Sequence, residues 1–280
     1  MELFLIILAL IWLVIASVSD IKRREVFNWI NFSLILFALA FRAFYAYFNS
    51  DVWYFIWGLI GFGIFFLLAN IFYYLRAFAG GDAKLLMALG VVLPFSSTFY
   101  GNIAVFSLFI LLLMLMGGVY SLLYSAVLSF RFRKFFVKEF KKQIKKKKNL
   151  IYLGLIFALV SLFLGFVDAI LLLIPGLLVI LPFVFIYSKS VEESCMINYV
   201  EPKNLTVGDW LYETVKIKGR KIEPYWEGLS EEEVRFLKKN KVRVKIKSGI
   251  PFVPSFLLAF LSLLYLRESS WSFFQFFWLF

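Results

Sequence analysis

The chain has 280 residues, 62% of them hydrophobic and 21% aromatic, with 30 Lys and Arg against 18 Asp and Glu, a single Cys and no His. A soluble domain holds about 45–50% apolar residues, so an excess spread along most of the length predicts an all-α polytopic membrane protein with lipid around much of its surface. The absence of His excludes Ser-His-Asp triads, Cys-His pairs and His-ligated zinc or iron, and the lone Cys195 makes neither an internal disulfide nor a Cys-only cluster. No metal or other cofactor is expected, and any catalysis rests on carboxylates, Lys, Ser, Thr or Tyr.

A bilayer crossing takes about 20 apolar residues. In chain order that length picks out 2–19, 27–48, 53–76, 102–129, 150–167, 169–188 and 250–266. A shorter run, 83–95, is apolar apart from Lys84 and reads as a short or tilted helix that starts inside the protein; counted as a crossing, it brings the total to eight. The first run follows only Glu2, has no basic n-region and leads into no A-x-A-like site, so it is expected to be retained. With the N-terminus outside, 28 of the 30 basic residues fall on the inner side and only Arg42 and Arg267 outside, which agrees with the positive-inside rule. This predicts a multi-pass protein of the cell membrane. The net charge of +12 therefore reports topology and does not argue for nucleic acid.

The expected organisation is a membrane domain with the candidate catalytic residues (1–129), a basic cytoplasmic loop (130–149), an additional transmembrane helix pair (150–188), a small mixed α/β cytoplasmic segment (189–249), and a final span with an aromatic tail (250–280). The loop, RFRKFFVKEFKKQIKKKK, interleaves aromatics with cations directly after a span and is expected to lie on anionic lipid headgroups. In the small segment, Ser230 with Glu233 has the form of a capping box that starts a helix through about Lys239. Val242, Val244 and Ile246 then alternate with Arg243, Lys245 and Lys247, as in a strand with one buried face. Gly58, Gly61, Gly63, Gly117 and Gly118 are expected to permit close helix packing. Pro175 and Pro182 are expected to kink the seventh span, and Pro251 and Pro254 to open the eighth.

Residues 1–191 contain seven acids: Glu2, Asp20, Glu25, Asp51, Asp82, Glu139 and Asp168. Glu2, Asp51 and Asp168 fall at predicted outer ends or turns, and Glu25 and Glu139 sit among cations. Asp20, in IASVSDIKRREVFNWIN, and Asp82, in RAFAGGDAKLLMALG, both lie at the predicted inner boundary although 62 residues separate them. Taken singly, each has an ordinary structural reading: Asp82 as the N-cap of the next helix, and Asp20 as a solvated acid beside Lys22 or Arg23. As a pair they are two carboxylates on one membrane face with no competing catalytic groups, and ionisable residues so placed mark functional sites.

Two carboxylates a few ångströms apart do not both ionise easily and hold one proton between them near neutral pH. The ionised member deprotonates a water; the protonated member polarises a carbonyl and supplies a proton toward the leaving amine. That is peptide hydrolysis without His, Cys or metal. Gly80 and Gly81 lack Cβ and so let an extended substrate backbone approach Asp82. Lys84 is either a motif residue that holds the site electrostatically or a boundary cation that obeys the topology rule. Asp209, in LTVGDW, repeats Gly-Asp within the polar segment, where a turn is expected.

At these residues the chain resembles the type IV prepilin peptidases, most closely their archaeal branch of preflagellin and prepilin peptidases, which are GxGD-type intramembrane aspartic proteases. The family's first aspartate opens a D-x-x-x-x-x-[VI]-P-N-like stretch, matched by Asp20 through Val26-Phe27-Asn28 with Phe where Pro is frequent. Its second closes a GxGD motif followed by x-K-L, matched by Ala79-Gly80-Gly81-Asp82-Ala83-Lys84-Leu85 with Ala79 in place of the first Gly. The segment Gly228–Phe260 also looks like the C-terminal region of archaeal members. The resemblance implies an aspartic endopeptidase that uses Asp20 and Asp82. It would remove the short basic leader from archaellin or type IV pilin-like precursors at the cytoplasmic boundary. The zinc-binding Cys cluster and the N-methyltransferase activity of bacterial relatives are not expected here.

Two other classes stay open from the residues alone. A polytopic transporter or channel would use the boundary aspartates for proton or cation handling. A magnesium-dependent prenyl-phosphate or lipid transferase would place acids on the cytoplasmic face, although it needs more clustered carboxylates than this membrane region offers.

Overall fold

A computed structural model describes residues 2–162 and 173–269. The helices are α1 (Glu2–Arg23), α2 (Asn28–Phe48), α3 (Val52–Tyr74), α4 (Gly80–Val92), α5 (Phe99–Arg131), α6 (Arg133–Lys146), α7 (Lys148–Ser161), α8 (Leu173–Cys195), α9 (Glu231–Lys239) and α10 (Val253–Ser269). Five of them, α1, α2, α3, α5 and α8, are long and apolar enough to cross a membrane. Of the eight expected crossings, five thus meet that measure among the described residues; α4 has 13 residues, and α7 and α10 are described over 14 and 17. Parts of the predicted spans 150–167 and 169–188, Asp168 and the aromatic tail lie outside the described residues. The chain divides into two compact units: residues up to Leu122 with those from Ile250 onward, and Leu123–Gly249.

In the first unit the short helix α4 is the core element. Ala83, Leu85, Leu86 and every residue from Ala88 to Val92 are buried. Thirteen residues rise about 20 Å, against a hydrocarbon layer of about 30 Å, so α4 cannot cross by itself; it is enclosed by α1, α2 and α3. Its approach to α3 is closest at two glycines. A Cβ on Gly61 would stand 2.1 Å from the carbonyl oxygen of Gly90, and one on Gly90 would stand 2.6 Å from that of Gly61. The small-residue contact expected from the glycine pattern is real at Gly61, whereas Gly63 and Gly118 have nothing within 4 Å of a built Cβ.

Beyond Val92 the backbone leaves the helix. Non-helical backbone at membrane depth needs hydrogen-bond partners from the protein, and Arg42 of α2 supplies them. Its Nε donates to the carbonyl of Val91 at 2.8 Å, and its Nη2 to those of Val92 and Pro94 at 3.2 and 2.8 Å. Its Nη1 donates to the carbonyl of Tyr54 in the first turn of α3 at 2.9 Å, and the guanidinium lies 4.6 Å from the centre of the Tyr54 ring. Arg42, one of the two cations expected on the outer side, is fully buried, since the loose end of α4 carries carbonyls that α4 itself cannot satisfy. Gly58 makes room for it, because a Cβ there would stand 2.5 Å from Arg42 Cδ.

α10 runs alongside α1 and is tied to it at both ends. The Asp20 carboxylate accepts the backbone N–H of Val253, and Arg267 pairs with Glu2. Pro254 stands within the first turn of α10, where a missing N–H costs nothing.

In the second unit the segment read as a basic loop is the helix α6. Phe136, Glu139, Phe140, Gln143 and Ile144 form its half-buried to buried stripe, with Phe136 edge-on to Tyr187 of α8 at 5.6 Å. The helical period of the apolar residues in that segment decides this, and the intervening cations stay exposed. α8 includes Pro182 and continues to Cys195, seven residues past the expected boundary at 188. α7 packs on α8 at Gly154, where a Cβ would stand 2.8 Å from both the Leu178 carbonyl and Pro182 Cγ. The polar remainder forms β1 (Ile197–Val200), β2 (Trp210–Leu211), β3 (Val215–Ile217), β4 (Arg220–Ile222) and β5 (Val244–Lys247). β1, β5 and β2 make one antiparallel sheet in that order, and β3 pairs with β4. Ser230 caps α9 with Glu233 reciprocating, as expected, and Val244 and Ile246 are the buried face of β5.

Replacing Arg42 by Met should strand buried carbonyls and lower stability in detergent by about 3–5 kcal/mol, because each unsatisfied group costs about 1–3 kcal/mol; Arg42→Lys should recover only part, lacking the planar fork. Gly61→Ala should cost about 1–3 kcal/mol through overpacking, while Gly63→Ala should be neutral. Thermal unfolding of the purified variants checks each of these.

Candidate active site

The first unit brings the two predicted motifs together. α1 ends just past Asp20, where Arg24 takes a left-handed φ of 58° and its N–H returns to the Asp20 carbonyl. The chain then turns through Val26 and Phe27 into α2. Phe27 has φ −63° and ψ 140°, the φ that proline imposes, so this turn keeps the backbone of the P-N form without the proline.

Asp82 sits in the first turn of α4. The N-cap is Ala79, and the Asp82 carboxylate accepts the Ala79 N–H at 3.3 Å. The ordinary reading of Asp82 as the N-cap is therefore displaced by three residues: it caps backward from the third helical position. Asp20 is 6% exposed, and its Oδ2 accepts the Val253 N–H at 2.9 Å. Its partner is thus the start of α10 and not solvated Lys22 or Arg23. The two carboxylates lie within electrostatic reach of each other.

Three contacts hold this arrangement. Lys84 Nζ donates to Asn28 Oδ1 at 2.7 Å, which ties the second motif to the first. Gly81 stands against Val26, whose Cβ would be 3.2 Å from a Cβ on residue 81, so the space this glycine leaves is filled by the other motif. At Gly80 the nearest atom to a built Cβ is Tyr73 Cε2 at 3.9 Å, which leaves that position open for an approaching chain. Phe78, just before α4, packs between Phe72 and the start of α10, with ring centres 4.9 Å from Phe72, 5.5 Å from Phe252 and 5.7 Å from Phe256. That aromatic cluster sets the beginning of α4 beside the beginning of α10, and so sets Asp82 beside Asp20.

Sequence reasoning passed over Asn31, Ser17 and the start of α10. Asn31 is fully buried, and its Nδ2 reaches the Gly81 carbonyl at 3.4 Å. Its Oδ1 has no partner, nor does the buried Ser17 hydroxyl one turn before Asp20. A lone Asn inside an apolar span was the available signal for the first. Asp209, by contrast, accepts the Thr206 N–H at 2.7 Å in a turn of the second unit, as expected. Among the described residues no three Cys, Asp or Glu side chains cluster as metal ligands would.

Residues 7–122 match the type IV leader peptidase family. A preflagellin peptidase from Methanocaldococcus jannaschii is 35% identical over 88 residues, 31% of this chain and 37% of that protein. A prepilin peptidase, EppA, from Methanothermobacter thermautotrophicus is 38% identical over 94 residues, 34% of this chain and 24% of that protein. The matched region thus spans about a third of the first relative and a quarter of the second. No solved structure matches the chain. The matched interval, less than half of the chain, contains both aspartates, the Gly-Gly pair and Lys84, and over it the chain is similar to the type IV leader peptidase family.

Proposed function

We propose that the protein is an intramembrane aspartic endopeptidase that removes the N-terminal leader from prearchaellin or prepilin-like precursors. The observation that carries this reading is that the motifs of Asp20 and Asp82, 62 residues apart, are held together by the Lys84–Asn28 bond, by Val26 against Gly81 and by Phe78 against the start of α10, which binds Asp20. The family match over the same residues and the printed activities of both relatives support it.

The chemistry needs one ionised and one protonated carboxyl. Two such groups sharing a site retain one proton between them. The ionised one activates water and the protonated one polarises the scissile carbonyl. Gly80, with open space at its Cα, is where an extended precursor chain approaches Asp82, and the Lys84–Asn28 bond keeps the two motif segments in register. Activity therefore requires an intermediate pH and is lost on both sides.

In this reading the chain crosses the membrane eight times, the crossing begun by α4 being completed by the irregular backbone that follows Val92, the N-terminus is outside, and the site faces the cytoplasm, where a leader would emerge still attached to its hydrophobic segment. The distribution of 28 of 30 cations supports that orientation. The exposed cations of α6 lie on anionic headgroups, and nucleic acid is not a partner.

Asp20→Asn and Asp82→Asn should each fold as the parent does and lower precursor cleavage at least about 10³-fold, on the scale set by losing one group of an acid–base pair. Product mass after co-expression with leader-bearing precursors reads the result, and retained cleavage by either variant overturns the assignment. Lys84→Met should lower kcat more than it raises KM, because the bond to Asn28 positions Asp82 and does not touch the precursor. Steady-state kinetics on the same precursor separate the two.

A further inference from the structure

We propose that the backbone N–H of Val253, at the start of α10, holds Asp20 as the ionised member of the pair, so that Asp20 takes the proton from water and Asp82 delivers one to the scissile carbonyl. The assignment rests on the endopeptidase reading above and deepens it by giving each aspartate a separate role.

The two carboxyls have similar sequence surroundings but different structural ones. Asp20 accepts the Val253 N–H at 2.9 Å, and Arg24 stands nearby on the same chain segment. One is a donor and the other a positive charge, and a carboxylate held by such groups favours its charged form. Asp82 has one longer bond, from the Ala79 N–H at 3.3 Å, and the cation nearest in sequence, Lys84, is turned away onto Asn28. Among the described residues, the elements packed against α1 near Asp20 bring few other ionisable groups. α4 offers Asp82 and Lys84, α2 has none before Arg42, which is bound at the far end of α4, and α10 has none before Tyr265. Asp20 is thus the carboxyl built to stay charged beside its partner.

The proton balance closes on this assignment. Water attacks the carbonyl carbon as its proton passes to Asp20, while the Asp82 proton passes to the carbonyl oxygen. Collapse of the resulting diol breaks the C–N bond; the proton on Asp20 goes to the leaving amine, and Asp82 recovers its proton from a diol hydroxyl. The pair ends as it began, with one proton on Asp82.

Val253→Pro tests the proposal, because proline at the first helical position removes this N–H without breaking the helix. The measurement is the pH dependence of kcat/KM for precursor cleavage. If Asp20 is the ionised member, loss of the donor hinders only the first ionisation of the pair, so the acid limb should move up by about one pH unit and the basic limb should stay. Val253→Ala, which keeps the N–H, should leave both midpoints in place whatever it does to the rate. Movement of the basic limb alone, which would make Asp20 the acid, or movement of neither limb, overturns the proposal. A backbone ester at the Phe252–Val253 linkage removes the same N–H and keeps the side chain; it decides the matter where the proline variant does not fold. Cleavage retained by Asp20→Asn would instead remove the endopeptidase reading itself, whereas an unmoved acid limb with Asp20→Asn inactive removes only this assignment.

Discussion

A thirteen-residue helix cannot span a hydrocarbon layer, and the organisation of the first unit follows from how the two ends of α4 are satisfied. Its far end opens into irregular backbone whose carbonyls would be unpaired in lipid. One side chain, Arg42, meets three of them and also binds the first turn of α3. Burying a guanidinium is expensive unless its donors are used; here Nε, Nη1 and Nη2 all donate to carbonyls. The near end of α4 is the opposite case. There the helix starts with free N–H groups, and the chain places Asp82 where it accepts one of them.

The enclosure of α4 also explains the glycines. A buried helix gains stability from close packing with its neighbours, since dispersion falls off steeply with distance. Gly61 and Gly90 let the α3 and α4 backbones touch, and Gly81 lets Val26 of the first motif reach the first turn of α4. The two glycines before Asp82 therefore divide their work. One is occupied by the protein's own chain, and the other is left open.

α10 completes the site from the far end of the sequence. The N–H of its first residue, Val253, meets Asp20, and Phe252 just before it and Phe256 within it meet Phe78. A carboxylate at the positive end of a helix and an aromatic cluster that excludes lipid are independent forces that act on the same few residues. The second unit is built by simpler rules. α9 is closed by its capping box, and β5 is held by two alternating apolar residues, with surface ion pairs such as Arg243 with Glu201 contributing little.

What the residues alone determined is local or compositional: a helical membrane chain, the α9 cap and the alternating strand, because period and capping are carried by neighbouring residues. In the basic segment 131–148 the cations masked a helical stripe of Phe136, Phe140 and Ile144, so its helix was not read. Only the tertiary structure decided that Arg42 is a buried backbone clamp, that Val26 fills the space at Gly81, and that Asp20 binds the start of α10, 233 residues away. Each of these pairs a polar or small group with a backbone or side chain far along the sequence, and the pairing exists because lipid offers no alternative partner. Sequence shows which groups need satisfying; the packed helices determine which partner satisfies them.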